Sequence, residues 1–181
     1  MTDKKVLSCP KSILCLRVLF AVVTISVAVF IFVMSSQNAH ISSKTSGDVI
    51  VKIVSAIDNT YKTKSPEEQR QIVSSLQKIV RKSAHFCIFG ALGVFSASFM
   101  ATFNKPFKLK FLFTQLFCSI YAVSDEIHQN FVVGRSCELR DMLIDSCGSF
   151  CGIILVLLIV YLCVKRKEVK FNAKKRTYPS K

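Results

Sequence analysis

A short polar stretch, residues 124–135 with the sequence SDEIHQNFVVGR, concentrates groups that could do chemistry. Within a dozen positions it holds two acids, a histidine, an amide and a base: Asp125, Glu126, His128, Gln129 and Arg135. Carboxylates and imidazoles bind divalent metals, an arginine clamps phosphate or carboxylate, and a buried carboxylate serves as a general acid or base. The spacing matches no established catalytic motif such as H-E-x-x-H. The residue types alone therefore do not select one chemistry.

Long apolar runs flank this polar stretch and are typical of a membrane protein. Hydrophobic residues make up 51% of the 181 residues, and they form continuous runs instead of recurring at helical or strand period. About 20 apolar residues suffice for a helix to cross the ~30 Å hydrocarbon core of a bilayer. We predict an all-α, polytopic membrane protein with four transmembrane helices, at about residues 13–34, 83–103, 107–124 and 142–164.

Residues 35–82, between the first two predicted spans, are polar and helical in character. Ser65 and Pro66 are typical of a helix start, and Glu67 and Glu68 would then lie near the positive end of the helix dipole. Apolar residues follow at helical spacing: Ile72, Val73, Leu76, Ile79 and Val80. This pattern predicts an extracytoplasmic amphipathic helix that lies along the membrane surface or caps the bundle.

The distribution of charge predicts the orientation of the chain. With the N-terminus inside, 15 of the 25 Lys and Arg lie on the inner side, and nine of the eleven acids lie outside. Both termini are therefore predicted to be cytoplasmic. The predicted divisions are a cytoplasmic N-terminus at 1–17, a four-helix membrane domain at 18–164 and a basic cytoplasmic tail at 165–181. Since no soluble basic module is present, the net charge of +14 favours membrane lipids as partners, and not nucleic acid.

This topology brings ionisable residues from three spans to one level, at the outer end of the bundle. His85 begins the second span, Asp125 ends the third, and Asp141 begins the fourth. Charges at such a depth are costly unless they are paired, so an intramembrane ionisable residue indicates a functional site. The predicted polar cluster has eight members: Lys82, His85, Asp125, Glu126, Gln129, Arg135, Asp141 and Asp145.

The fourth span carries a face of small residues below its acids. Asp145 lies one helical turn below Asp141, and Gly148 and Gly152 continue the same face. Small residues at this spacing let a neighbouring helix approach closely, so Asp145 is expected to point into the bundle. A buried carboxylate needs a partner, and Arg135, folded back from the preceding loop, is expected to pair with Asp141 or Asp145.

Three chemistries remain open for the cluster. A divalent metal could be held by carboxylates and imidazoles, for which the candidate ligands are His85, Asp125, Glu126 and His128. The arginines could instead clamp a phosphate or carboxylate of a lipid headgroup. A carboxylate whose pKa is raised by burial could also act as an acid or base. The residues do not decide between these, and they do not establish a cofactor.

Three segments together resemble the VanZ-like family of small bacterial membrane proteins. They are RKSAHF at 81–86, SDEIHQNFVVGRS at 124–136 and DMLIDSCG at 141–148, and SSQ at 35–37 resembles a further signature of that family. The chain departs from the family pattern at three positions: Phe89 replaces a frequent Tyr, Val133 a frequent Pro, and Asp145 a frequent Asn. These departures leave the charged core of the pattern intact.

The resemblance implies a location and a range of functions. A VanZ-like protein is expected in the bacterial plasma membrane, where an outward-facing polar site would engage a lipid headgroup or a lipid-linked cell-wall precursor. The namesake of the family is associated with resistance to the antibiotic teicoplanin, so a contribution to glycopeptide tolerance is a further expectation. Two alternatives stay open: an enzyme acting on an envelope lipid by metal-assisted or acid–base chemistry, and a structural or regulatory protein acting through partners.

Overall fold

Five α-helices, joined by short connections, make up the described part of the chain. A computed structural model describes residues 11–177, with side chains described for residues 11–170. The helices are α1 (Lys11–Ser35), α2 (Ala39–Ile57), α3 (Pro66–Ala101), α4 (Phe107–Gln129) and α5 (Leu139–Thr177), with a 3-10 helix at Tyr61–Thr63 between α2 and α3. Residues 11–177 contain no strand, which confirms the predicted all-α class.

Three helices are long and apolar enough to cross a membrane: Lys11–Ser35, Pro66–Ala101 and Leu139–Lys170. The chain is accordingly a membrane protein, as its apolar runs predict. α4, the predicted third of four spans, falls outside these three. It carries Lys108 and Lys110 near its start and Asp125 and Glu126 near its end. Its outward surface is nevertheless apolar and exposes Leu112, Phe113, Leu116, Phe117 and Ile120.

The start of α3 follows the sequence prediction in detail. The Ser65 hydroxyl accepts a hydrogen bond from the Glu68 amide, and the Glu68 carboxylate accepts one from the Ser65 amide. Pro66 is the first helical residue. This reciprocal arrangement satisfies two backbone donors that the first turn of a helix leaves free.

The predicted separation of an amphipathic helix from the second span was wrong. α3 runs without a break from Pro66 to Ala101, 36 residues that extend over about 54 Å. No proline or glycine interrupts residues 67–89, so nothing in the sequence ends the first half before the apolar half begins. α5 likewise continues beyond the predicted end of the last span, through the basic KRK segment to Thr177.

α2 lies against the first half of α3. The sequence does not predict it as a separate helix. Asn38 caps it by accepting a hydrogen bond from the Ile41 amide at 2.9 Å. Ile50 is buried, and Gln77 of α3 donates to the Ser43 carbonyl at 2.6 Å. α2 is thus held along the first half of α3 by both apolar and polar contacts.

α3 and α5 cross in close contact, and glycines make that contact possible. A Cβ atom on Gly148 would collide with the carbonyl of Phe86, and one on Gly152 with the carbonyl of Gly90. The close approach expected from the small face of the last span is therefore confirmed. Around this crossing the buried core consists of Ile31, Phe89, Leu92, Ala97, Cys118, Ala122, Ile153 and Leu157.

Polar contacts attach α1 to the other helices. The Arg17 guanidinium donates to the Thr102 hydroxyl at 3.2 Å and to the Thr102 carbonyl at 3.0 Å, and it lies 4.2 Å from the centre of the Phe103 ring. Further along α1, the Tyr121 hydroxyl of α4 donates to the Ala28 carbonyl at 2.6 Å. The start of α1 is thereby held at the end of α3, so the end of α1 reaches the level of the polar cluster.

Candidate functional site

Asp125 is buried at the junction of α1 and α4, where two donors hold one of its oxygens. Only 3% of its surface is exposed. The Ser35 hydroxyl and the Gln129 amide each donate to the Asp125 Oδ2 atom at 2.8 Å. Ser35 was not among the candidate site residues, although its SSQ segment was part of the family resemblance. The other oxygen, Oδ1, has no hydrogen-bond partner among the described residues.

Gln129 connects this aspartate to the loop between α4 and α5. Its carbonyl oxygen accepts from the Arg135 Nη1 atom at 2.9 Å. Gly134, just before the arginine, has a φ of +77°, a conformation that glycine adopts without strain. Burial, together with the neighbouring charge of Arg81, lowers the pKa of Arg135 from its usual range. The loop thus carries a cation whose side chain is turned inwards.

His85 of α3 faces Asp145 of α5 across the crossing of these helices. The His85 Nδ1 atom lies 3.8 Å from the Asp145 Oδ2 atom, which is too far for a hydrogen bond. Asp145 is 1% exposed, as expected from the glycine face beneath it, and its Oδ2 has no hydrogen-bond partner among the described residues. An unsatisfied buried polar atom costs about 1–3 kcal/mol, and a charged one costs more.

The rim of the site is formed by an ion-pair network around Lys82. Its ammonium forms an ion pair with Asp141 and lies 3.5 Å from the Glu138 carboxylate. The Glu138 amide in turn donates to the Glu126 carboxylate at 3.1 Å. The expected pairing of Arg135 with Asp141 or Asp145 was wrong for the described structure, because Asp141 pairs with Lys82 while Arg135 contacts Gln129.

The four metal-ligand candidates do not all lie together. His128 stacks on Phe32 with ring centres 4.4 Å apart, and its Nε2 is 3.0 Å from the Ser36 hydroxyl. Glu126 is engaged by the loop amide. His85 and Asp125 do meet, and the third member of their group is Asp145, with one potential ligand atom from each residue within 4.8 Å of the others. The sequence had assigned Asp145 to the cluster but not to the metal candidates.

A polar pocket of about 70 Å³ opens beside this group. Its lining contains seven of the eight predicted cluster members: Lys82, His85, Glu126, Gln129, Arg135, Asp141 and Asp145. A second cavity, of about 150 Å³, is lined mainly by apolar atoms of α1 and α3, including Phe30, Ile31 and Ile88. Arg81, His85 and Arg135 line both cavities. A polar pocket that holds two arginines and an apolar crevice therefore share one wall.

The fold and the site together define a helical membrane protein with a buried polar cluster at one end of the bundle. The VanZ/LLP1 family model matches residues 20–161, which include every member of the cluster. Since this match covers well over half of the chain, the protein belongs to the VanZ/LLP1 family, as the resemblance of its three motifs predicted. No curated protein and no solved structure gives a significant match.

Proposed function

We propose that this protein engages an anionic group of a cell-envelope lipid, either a lipid headgroup or a lipid-linked cell-wall precursor. The observation that supports this is the wall shared by the polar pocket and the apolar crevice at Arg81, His85 and Arg135. Guanidinium groups bind phosphate through paired hydrogen bonds, and an acyl chain would gain by entering the apolar crevice. One amphiphilic ligand satisfies both cavities.

The proposal places the protein in the bacterial plasma membrane with four spans and both termini in the cytoplasm. In this topology α4 is the third of the four spans: its 23 residues extend over about 35 Å, and its exposed central surface is apolar. The polar cluster then lies at the outer membrane level, where envelope lipids and their wall precursors are accessible. Family membership supports a further consequence, a modest increase in teicoplanin tolerance when the protein is expressed in a sensitive host.

Lipid binding by the purified full-length protein tests the proposal. Native mass spectrometry in detergent would compare phosphatidylglycerol with phosphatidylcholine of the same acyl chains. We expect preferential binding of the anionic lipid and a loss of about tenfold or more in affinity for Arg81→Gln or Arg135→Gln, since a hydrogen bond to a charged group contributes about 1.5–3 kcal/mol. Glycerol phosphate, added as competitor, would separate recognition of the headgroup from recognition of the chains.

Arg70→Gln is the matched control, because Arg70 lies on the same helix with an 80% exposed side chain. It should bind the anionic lipid as well as the unchanged protein does. Equal binding of the two lipids, or equal binding by the Arg81, Arg135 and Arg70 variants, would contradict recognition at this site.

A further inference from the structure

Three helices bring a nitrogen and two carboxylates together inside the bundle. His85 comes from α3, Asp125 from α4 and Asp145 from α5, so the group exists only when all three helices are packed. One potential ligand atom of each residue lies within 4.8 Å of the other two. Both aspartates are almost completely buried, at 3% and 1% exposure.

Each of the two aspartates has an oxygen atom without a hydrogen-bond partner among the described residues. For Asp125 this is Oδ1, since Ser35 and Gln129 donate to its Oδ2 atom. For Asp145 it is Oδ2, which lies 3.8 Å from the imidazole of His85. Two carboxylates this close repel each other unless a cation or a shared proton lies between them.

The surrounding charges favour a cation. The pocket and the buried group together hold five carboxylates, those of Asp125, Glu126, Glu138, Asp141 and Asp145, and three permanent cations, those of Arg81, Lys82 and Arg135. Two negative charges remain when His85 is neutral. Lys82 is already engaged at the rim, and Arg135 is engaged by Gln129. A divalent ion would balance the remainder.

We propose that His85, Asp125 and Asp145 bind one divalent transition-metal ion, of the class of Mn²⁺ or Zn²⁺. An imidazole with two carboxylates suits these ions, whereas Mg²⁺ and Ca²⁺ favour oxygen ligands alone. Ligand atoms that are each about 2.1 Å from an ion lie roughly 3 to 4 Å apart, and the 3.8 Å between His85 and Asp145 falls within that range.

Neighbouring side chains would support the ion. Ser35 and Gln129 orient the Asp125 carboxylate in the way that hydrogen-bonded groups around a metal site orient its ligands. Since His85 and Asp145 also line the polar pocket, coordination positions not filled by the protein would face it. An anionic oxygen or a water molecule could occupy these positions. The proposal does not depend on lipid binding.

Metal titration of the full-length protein in detergent, after treatment with a chelator, tests the site. Equilibrium dialysis against Mn²⁺ or Zn²⁺ alone, with elemental analysis of the protein, should give one ion per chain. Electron paramagnetic resonance of the Mn²⁺ form should show coupling to an imidazole nitrogen. Asp125→Asn and Asp145→Asn should each weaken binding by about 100-fold or more, and His85→Gln should abolish the nitrogen coupling.

His128→Gln is the matched control, because this residue lies near the site but outside the three-residue group. This variant should keep one bound ion per chain. Folding of every variant is checked by its melting temperature without metal, and added metal should raise that temperature for the unchanged protein but not for the two aspartate variants. Failure of the unchanged protein to take up a stoichiometric ion, or uptake that persists in the double aspartate variant, would overturn the proposal.

Discussion

The two ends of the helical bundle differ in how completely their polar side chains are hydrogen-bonded. At one end, the Arg17 guanidinium is matched by neutral partners, the hydroxyl and carbonyl of Thr102 and the face of the Phe103 ring. At the other end, Asp125 and Asp145 are more deeply buried, yet each has an oxygen with no hydrogen-bond partner among the described residues.

This difference separates a structural contact from a site. A neutral set of acceptors satisfies one cation, fixes the start of α1 on the end of α3 and requires nothing more. The oxygens of Asp125 and Asp145 that lack a hydrogen-bond partner among the described residues contribute nothing to the fold, since apolar atoms would pack there at lower cost. Such groups are retained where a ligand or an ion completes them, and stability is lost in exchange.

The largest expected effect is an all-or-none difference in accessibility between the two ends. In intact cells, a membrane-impermeant maleimide should label the exposed Cys137, which lies in the loop beside the cluster, in a variant that retains only this cysteine. With Lys105→Cys as the single cysteine, in the loop at the opposite end, labelling should require permeabilised cells. Labelling of both positions from outside would contradict the four-span topology.

A smaller effect is expected when one residue at each end is replaced. Arg17→Ala should lower the free energy of unfolding by about 2 kcal/mol, because it removes two hydrogen bonds and a cation–π contact. Asp145→Asn should leave the stability of the metal-free protein unchanged or raise it, since it removes a charge without a matched partner. Thermal melts in detergent provide the measurement. A large loss of stability for Asp145→Asn in the absence of metal would show that Asp145, like Arg17, stabilises the fold, and would contradict the comparison.

The smallest effect concerns the rim, where Asp141 pairs with Lys82 and not with Arg135, the partner that the sequence predicts. A double-mutant cycle on Lys82→Ala and Asp141→Ala should give a coupling energy of about 0.5–1 kcal/mol, because both side chains are about three-quarters buried and in contact. The corresponding cycle on Arg135→Ala and Asp141→Ala should be additive within error. Coupling in the second cycle and not in the first would restore the pairing predicted from the sequence.

Much of the polar cluster was predictable because helices translate residue spacing into position. Once the spans are recognised, the ends of three of them must lie at the same end of the bundle. The residues at positions 85, 125 and 145, near those ends, are therefore expected to lie close together. The spacing of Asp145, Gly148 and Gly152 defines one helix face, so the burial of Asp145 and the close α3–α5 approach follow as well. The capping of α3 at Ser65 is equally local, which is why it was confirmed in detail.

Partner choice within the cluster could not be predicted in the same way. Lys82, Arg135 and Arg140 were all available to Asp141 in the sequence, and differences of a few ångströms in helix rotation decide which of them reaches it. The role of Ser35 could not be predicted either, since an uncharged residue at the end of an apolar run gives no signal by itself. The continuity of α3 could not be predicted from polarity, because a change from a polar to an apolar sequence does not by itself end a helix.

By itself, the sequence determined the membrane class, the family and the end of the helical bundle at which the ionisable residues meet. These properties depend on composition, on local capping and on the rise of a helix per residue. The tertiary structure alone decided that Lys82 pairs with Asp141, that Gln129 links Asp125 to Arg135, and that His85 faces Asp145 at 3.8 Å. Such contacts depend on how the packed helices are rotated and on how far apart they lie. At the α3–α5 crossing, glycines of α5 set this separation by lying directly against backbone atoms of α3 that are distant in the sequence.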